Sequence, residues 1–164
     1  KTLVIISQTF VPDPAAVGQY MAEVARAMAA RGHGVRAYAS ARGYEDPSKR
    51  YPIREDLHGV DVRRFEFASF GKASTLLRVA GTASFMLQAA VALLFQRNLA
   101  GVLFTTSPPL MGFVASMIAW LRGVPCAYWA MDLNPDQLIA LGKLKKSSLI
   151  ARSLEWVNRL SSPR

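Results

Sequence analysis

The chain has 164 residues, 51% hydrophobic and 19% charged, with 20 Lys and Arg against 11 Asp and Glu for a formal net charge of +9. That length fits one domain with a core of its own, and the apolar content excludes intrinsic disorder. One cysteine, Cys126, excludes an internal disulfide framework and any multi-cysteine metal site.

The elements follow in chain order. Leu3–Ser7 is a continuous apolar, β-branched run, as in a strand buried on both faces. A loop over Gln8–Gly18 carries Pro12, Asp13 and Pro14. Ala15–Arg31 turns helical, with Tyr20, Val24 and Met28 in phase and Gly32 as the stop. Val35–Ser40 reads as a second strand, completing a right-handed βαβ unit. Ala41–His58 is polar, mixed in charge and broken by Pro47 and Pro52, so it reads as a surface excursion. Val60–Phe67 alternates imperfectly and predicts a third strand.

Ser74–Arg97 predicts a long helix with Ser74 as a candidate N-cap. Its uncharged part, Val79–Phe95, is 17 residues, at the lower limit for a spanning helix. Gly81, Thr82, Ser84 and Gln88 dilute it, so a buried or interface-lying helix is favoured over a span. Val102–Thr106 is a fourth strand, Pro109–Arg122 a helix with Pro109 at or near its first position, and Pro125–Ala130 a fifth strand. Ser148–Leu160 closes the pattern as a helix. Strands alternating with helices give a doubly wound, Rossmann-like parallel α/β sheet. Such sheets bind ligands beyond the carboxyl ends of their strands, at the switch in strand order. The chemistry is therefore expected from Ser7–Gly18, Ser40–Tyr44, Thr105–Pro109 and Ala130–Asp136.

These loops exclude several functions. The first has a single glycine, so it is neither the GxGxxG dinucleotide fingerprint nor a Walker A loop. Ala41-Arg42 stands where an acidic residue would hold a ribose, which argues against a nicotinamide-dependent oxidoreductase. Phe65, Phe67 and Phe70 near Arg63 and Arg64 belong to no nucleic-acid-binding signature, and no nucleic acid is expected as partner. Gly18 has two readings, a backbone open to phosphate or a packing contact between helix and sheet. Ser107 either meets a polar ligand or caps the next helix, and Asp132 is either a general base or sugar ligand, or a structural cap. His33, His58 and Cys126 read as structural. Residues 143–164 hold Lys143, Lys145, Lys146, Arg152, Arg159 and Arg164 against Glu155, more than half of the net excess. Such asymmetry suits a solvated helix face, an anionic membrane or a phosphorylated ligand.

In order, Val4–Asp13, Val17–Val35, His58–Arg64, Arg78–Phe85, Thr106–Leu110, Met131–Asp136, Ala140–Lys145 and Leu154–Trp156 make a set. Together they resemble the amino-terminal half of a family 4 glycosyltransferase of the GT-B fold, in the colanic acid and O-antigen biosynthesis branch. The resemblance implies transfer of a sugar from a nucleotide-sugar donor to a polyprenyl-linked saccharide acceptor, retaining and without metal or other cofactor. It implies a donor-phosphate loop at Gly18 and Gln19, acceptor contacts at Ser107, Asn134 and Arg42, and Asp132 as the catalytic carboxylate. Residues 1–164 would be the acceptor-side domain, inactive alone, with the donor-binding domain absent. The protein would be cytoplasmic, peripheral to the inner face of the plasma membrane. Three departures stand out: Asn134 replaces the usual Trp, Asp136 the usual Glu, and the first loop has one glycine where many members have two. The alternative is a free-standing Rossmann-like module for a nucleotide or phosphate.

Overall fold

The computed structural model describes residues 1–44, 46–68, 75–106, 108 and 110–130. The expected helix over 148–160, the basic cluster after 142, and Ser74, Ser107, Pro109, Asp132, Asn134 and Asp136 lie outside the described residues.

Among the described residues, six strands form one sheet: β1 (Thr2–Ile6), β2 (Gly34–Ser40), β3 (Arg54–Leu57), β4 (Val60–Phe65), β5 (Leu99–Thr105) and β6 (Cys126–Trp129). Their order is β3-β4-β2-β1-β5-β6, parallel throughout except for β3 against β4. Three helices accompany them among the described residues: α1 (Ala16–Ala30), α2 (Thr75–Leu94) and α3 (Met111–Leu121). The chain steps outward from β1 through β2 to β4, then returns through α2 to lay β5 on the other side of β1. The switch point lies between β1 and β5, so the doubly wound sheet expected from the alternation is the observed one.

β1 explains the burial. Val4 and Ile6 face a core with α2 and α3, while Ile5 faces a second core with Met21, Ala22 and Ala25 of α1. Alternation on a strand covered on both faces makes a continuous apolar run necessary. The α2 side adds aromatic contacts: Tyr38 stacks on Phe65 at 5.5 Å, and Phe65 meets Phe85 edge-on at 5.7 Å.

The excursion over Ala41–His58 is not all loop. Its end forms β3, which pairs antiparallel with β4 through a two-residue turn. His58 and Gly59 have φ of 57° and 83°, the doubly left-handed form that matches strand twist in a tight hairpin. Asp56 Oδ1 accepts the Gly59 N–H at 2.9 Å and holds the turn. The charges of Arg54, Glu55 and Asp56 hid this strand, yet charge is what a sheet edge tolerates. The third helix also starts later than expected. Its N-cap is Leu110, left-handed at φ 69° and without a side-chain cap.

Of the buried and interface-lying readings for α2, the structure shows a helix buried along one side only. It buries Gly81, Phe85, Ala89 and Leu93, a stripe spaced by four. Its other side is apolar too, with Leu76 77% exposed and Val79, Leu87 and Val91 open. Leu76–Leu94 is long and apolar enough to cross a membrane by length and composition, and only 22% of its most apolar stretch is buried. At its end, Arg122, which caps the carboxyl end of α3, donates Nη2 to the Gln96 carbonyl at 2.8 Å and Nη1 to that of Leu94. A cation on a helix's last carbonyls satisfies groups the helix leaves open.

Candidate functional site

The carboxyl ends of β2, β1 and β5 lie side by side, so the loops after Ile6, Ser40 and Thr105 share one edge of the sheet. The first loop is built with little freedom. Ser7 donates its N–H to the Tyr38 carbonyl at 3.1 Å, and Ser40 donates its own to Gln8 at 2.9 Å. Gln8 Nε2 reaches the Ala68 carbonyl at 3.2 Å, linking this loop to the chain beyond β4. Ser7, Thr9, Phe10 and Asp13 are all buried. The Ser7 hydroxyl is buried at the switch point with no hydrogen-bond partner among the described residues.

Two charged side chains fix the rest of the loop. Asp13 accepts the Ala15 N–H at 3.0 Å and the Tyr44 N–H at 2.7 Å. The Tyr51 hydroxyl faces the same carboxylate closely enough to feel its charge. Burial first, and then the Asp13 charge, push the Tyr51 phenol above its usual range. Arg64 is buried on the same side. Its Nη2 donates to Val11 at 2.7 Å, its Nη1 to Pro52 at 2.8 Å, and it pairs with Glu55. Its guanidinium also lies 5.7 Å over the Tyr51 ring. One arginine thus ties together the first loop, the excursion and β3. Neither Asp13 nor Arg64 was singled out from sequence. For Asp13 the Pro-Asp-Pro context was a usable turn signal; the partners of Arg64 lie 12 and 53 positions away and leave no local mark.

Gly18 sits where α1 meets this loop. A Cβ there would lie 3.0 Å from Cα and N of Phe10 and 3.2 Å from the Thr9 carbonyl carbon. The contact is backbone against backbone, so only a glycine lets the helix start this close to its own loop. Of the two readings, the packing contact is what the structure displays. Gln19 is exposed and turns its Nε2 back to the Pro14 carbonyl at 3.2 Å. Arg42 lies at the end of β2, held by Ser40: the serine Oγ accepts the Arg42 N–H at 3.0 Å and donates to its carbonyl at 3.1 Å. Arg42 is half-buried, and its guanidinium makes no hydrogen bond or ion pair with a described residue. Gly18, Gln19 and Arg42 therefore gather at one end of the sheet, as their strand positions imply. Ser107, Asp132 and Asn134 lie outside the described residues.

Among the described residues, no three His, Cys, Asp or Glu side chains come together as a metal site. His33 follows α1, and His58 sits in the hairpin turn, where it lines a cavity with Phe10, Val11 and Pro12 of the first loop. Cys126 packs against the core on β6, where burial raises its thiol pKa against a weaker lowering by Ser116. It is a packed thiol and not a poised nucleophile.

Comparison with known proteins adds the following. The family model described as glycosyl transferase 4-like domain matches residues 15–164. No curated protein matches the chain. Among solved structures, sucrose-phosphate synthase from Thermosynechococcus elongatus is similar with a TM-score of 0.65 at 15% identity, over 98% of this chain and 40% of that one. WaaG, a glycosyltransferase involved in lipopolysaccharide biosynthesis, gives 0.52 at 13% identity, over 96% of this chain and 35% of its own. The C-terminal domain of the PF1911 hydrogenase from Pyrococcus furiosus gives 0.50 at 13% identity, over 77% and 88%. At such identities the likeness is one of fold. The chain spans well under half the length of the two transferase-sized structures it matches.

Proposed function

Because the chain belongs to the glycosyl transferase 4-like domain family, we propose that it is the acceptor-side half of a glycosyltransferase. The reaction moves a sugar from a nucleotide-sugar donor to a polyprenyl-linked saccharide, in cell-surface polysaccharide synthesis of the colanic acid or O-antigen type. The family match over residues 15–164 carries the glycosyltransferase part of this reading; the acceptor and the pathway rest on the sequence resemblance alone.

In this reading the first loop is a rigid wall of the cleft. Asp13 and Arg64 hold it, and Gly18 lets the amino end of α1 come up beneath it. A helix amino end favours negative charge, which suits the donor phosphate near Gly18 and Gln19. Arg42, with no acidic partner among the described residues, meets the acceptor together with Ser107 and Asn134. Asp132 orients the acceptor hydroxyl or takes its proton. No metal or cofactor enters. A second, donor-binding domain supplies the other wall, so residues 1–164 alone carry no activity. The exposed apolar side of α2 lies on the inner face of the plasma membrane, where a lipid-borne acceptor is found.

The test uses full-length enzyme with a panel of nucleotide sugars and polyprenyl-linked saccharides. Asp132→Asn should lower kcat/KM by about 10²–10⁴-fold. Unchanged turnover and KM would reject its role, and sugar transfer by residues 1–164 alone would reject the half-enzyme reading. Co-sedimentation with anionic vesicles at low salt, weakened at high salt, tests the membrane location.

A further inference from the structure

The α2 side of the sheet opens, past Tyr38 and Phe65, into a groove of about 670 Å³ that is lined by none of Gly18, Gln19 and Arg42. It runs between β2, β4 and β3 and the chain that follows α2, from Phe95 to Asn98. Arg36, Arg54, Arg63 and Arg97 line it, with Ile53 and Phe95 exposed at its rim.

These arginines are poorly matched by acid. Arg54 and Arg63 stand directly opposite each other in the β3–β4 register, a like-charge pair that costs stability unless something neutralises it. Asp61 serves two of the four: it accepts Arg36 Nε at 2.7 Å and Arg63 Nη2 at 3.1 Å. Asp56, which faces Asp61 across the hairpin, is engaged by the turn at Gly59. Arg54 and Arg97 are exposed, and their guanidiniums make no hydrogen bond or ion pair with a described residue; the Arg97 carbonyl accepts Gln96 Nε2 at 2.8 Å. The groove is also organised. Gln96 Oε1 accepts Arg36 Nη1 at 2.7 Å and the Tyr38 hydroxyl at 3.3 Å, so Arg36 is braced before any ligand arrives. Arg64, at the groove's edge, is consumed by Glu55, Val11 and Pro52.

We propose that this groove is an anion site, distinct from the cleft, that takes a phosphate group, with Arg54 and Arg97 as the ligating guanidiniums and Arg63 beside them. Planar guanidiniums suit phosphate oxygens in paired hydrogen bonds. The phosphate belongs either to a lipid headgroup or to a soluble phosphorylated compound. The site stands apart from the glycosyl-transfer reading, because its test needs neither donor nor acceptor.

The experiment compares the chain with R54Q/R97Q and with R31Q/K49Q, which removes the same charge from exposed positions elsewhere. Each is titrated with inorganic pyrophosphate by calorimetry. Each is also sedimented with phosphatidylcholine vesicles with and without phosphatidylglycerol. Binding by the parent chain and R31Q/K49Q, weakened about tenfold in R54Q/R97Q, is expected for at least one probe. Loss on pyrophosphate identifies a soluble ligand, and loss on vesicles alone a headgroup; either supports the site. Equal weakening in both double variants, or no binding of either probe by the parent chain, overturns it. Both replaced arginines are exposed and Arg54 faces a like charge, so the melting temperature of R54Q/R97Q should not fall. R97Q alone, outside any strand, repeats the measurement without touching the hairpin.

Discussion

α1 and α2 pack on opposite faces of one sheet and use their apolar residues differently. α1 buries Gly18, Met21, Ala22 and Ala25 and turns Gln19 and Glu23 outward. α2 buries a stripe spaced by four and leaves a second apolar side open, continued on α3 by Phe113, Met117 and Trp120, the last 78% exposed. A helix that only served the core would not carry that second side. The α1 face is finished by this chain's own residues. The α2 face leaves several large apolar side chains open to solvent, as interaction surfaces do.

The comparison can be broken from either side. The largest effect is expected from Phe85→Ala, which empties the inner stripe of α2 and should cost about 3–5 kcal/mol in chemical denaturation. A much smaller loss would mean that α2 is not a core helix even on its inner side. Gly18→Val tests the other face. Its Cβ would meet backbone at 3.0 Å, so overpacking should cost about 1–3 kcal/mol and, in full-length enzyme, lower kcat/KM for the donor. Normal stability and normal donor kinetics together would dissolve the link between α1 and the first loop.

Acid sharpens the same contrast at Asp61, on the α2 side of the sheet. Burial raises its pKa, but hydrogen bonds from Arg63 and Arg36 outweigh this and leave it lowered. The stabilisation is therefore present above the ordinary carboxylate range and is lost as pH falls through the depressed value. Asp61→Asn should flatten that part of the melting-temperature profile; an unchanged acid limb would remove the ion pairs from the account. The smallest effect on stability is expected on the outer side of α2. Leu87→Ser should change it by no more than about 0.5 kcal/mol while reducing pelleting with anionic vesicles. Unaltered pelleting would leave the exposed side without its assigned role.

Most of the fold was legible because its strands are apolar runs and its helices keep phase. β1, α1, β2, α3 and β6 fall within a few residues of expectation. β5 begins earlier, at Leu99, because Thr2 of β1 offers a pairing partner that no periodicity announces. β3 was illegible: Arg54–Leu57 has no apolar alternation and is specified by its hairpin and by β4. The candidate site divides the same way. Gly18, Gln19 and Arg42 could be placed because loop position follows from strand order. The Asp13 clamp and the Arg64 tether could not, since Tyr44, Tyr51, Val11 and Pro52 become their partners only after the chain has folded. The arginine groove is likewise a product of register, which sets Arg54 against Arg63.

The contact from Arg122 to the carbonyls of Leu94 and Gln96 has a mechanical meaning. It rivets the end of α3 to the end of α2, while Phe85, Ala89 and Leu93 share one core with Met111, Ala115 and Ile118. The two helices cannot swing separately without tearing that rivet or opening that core. Their outward apolar surface is thus one stiff paddle. A surface held this way has less freedom to lose on binding than two separately mobile helices would have.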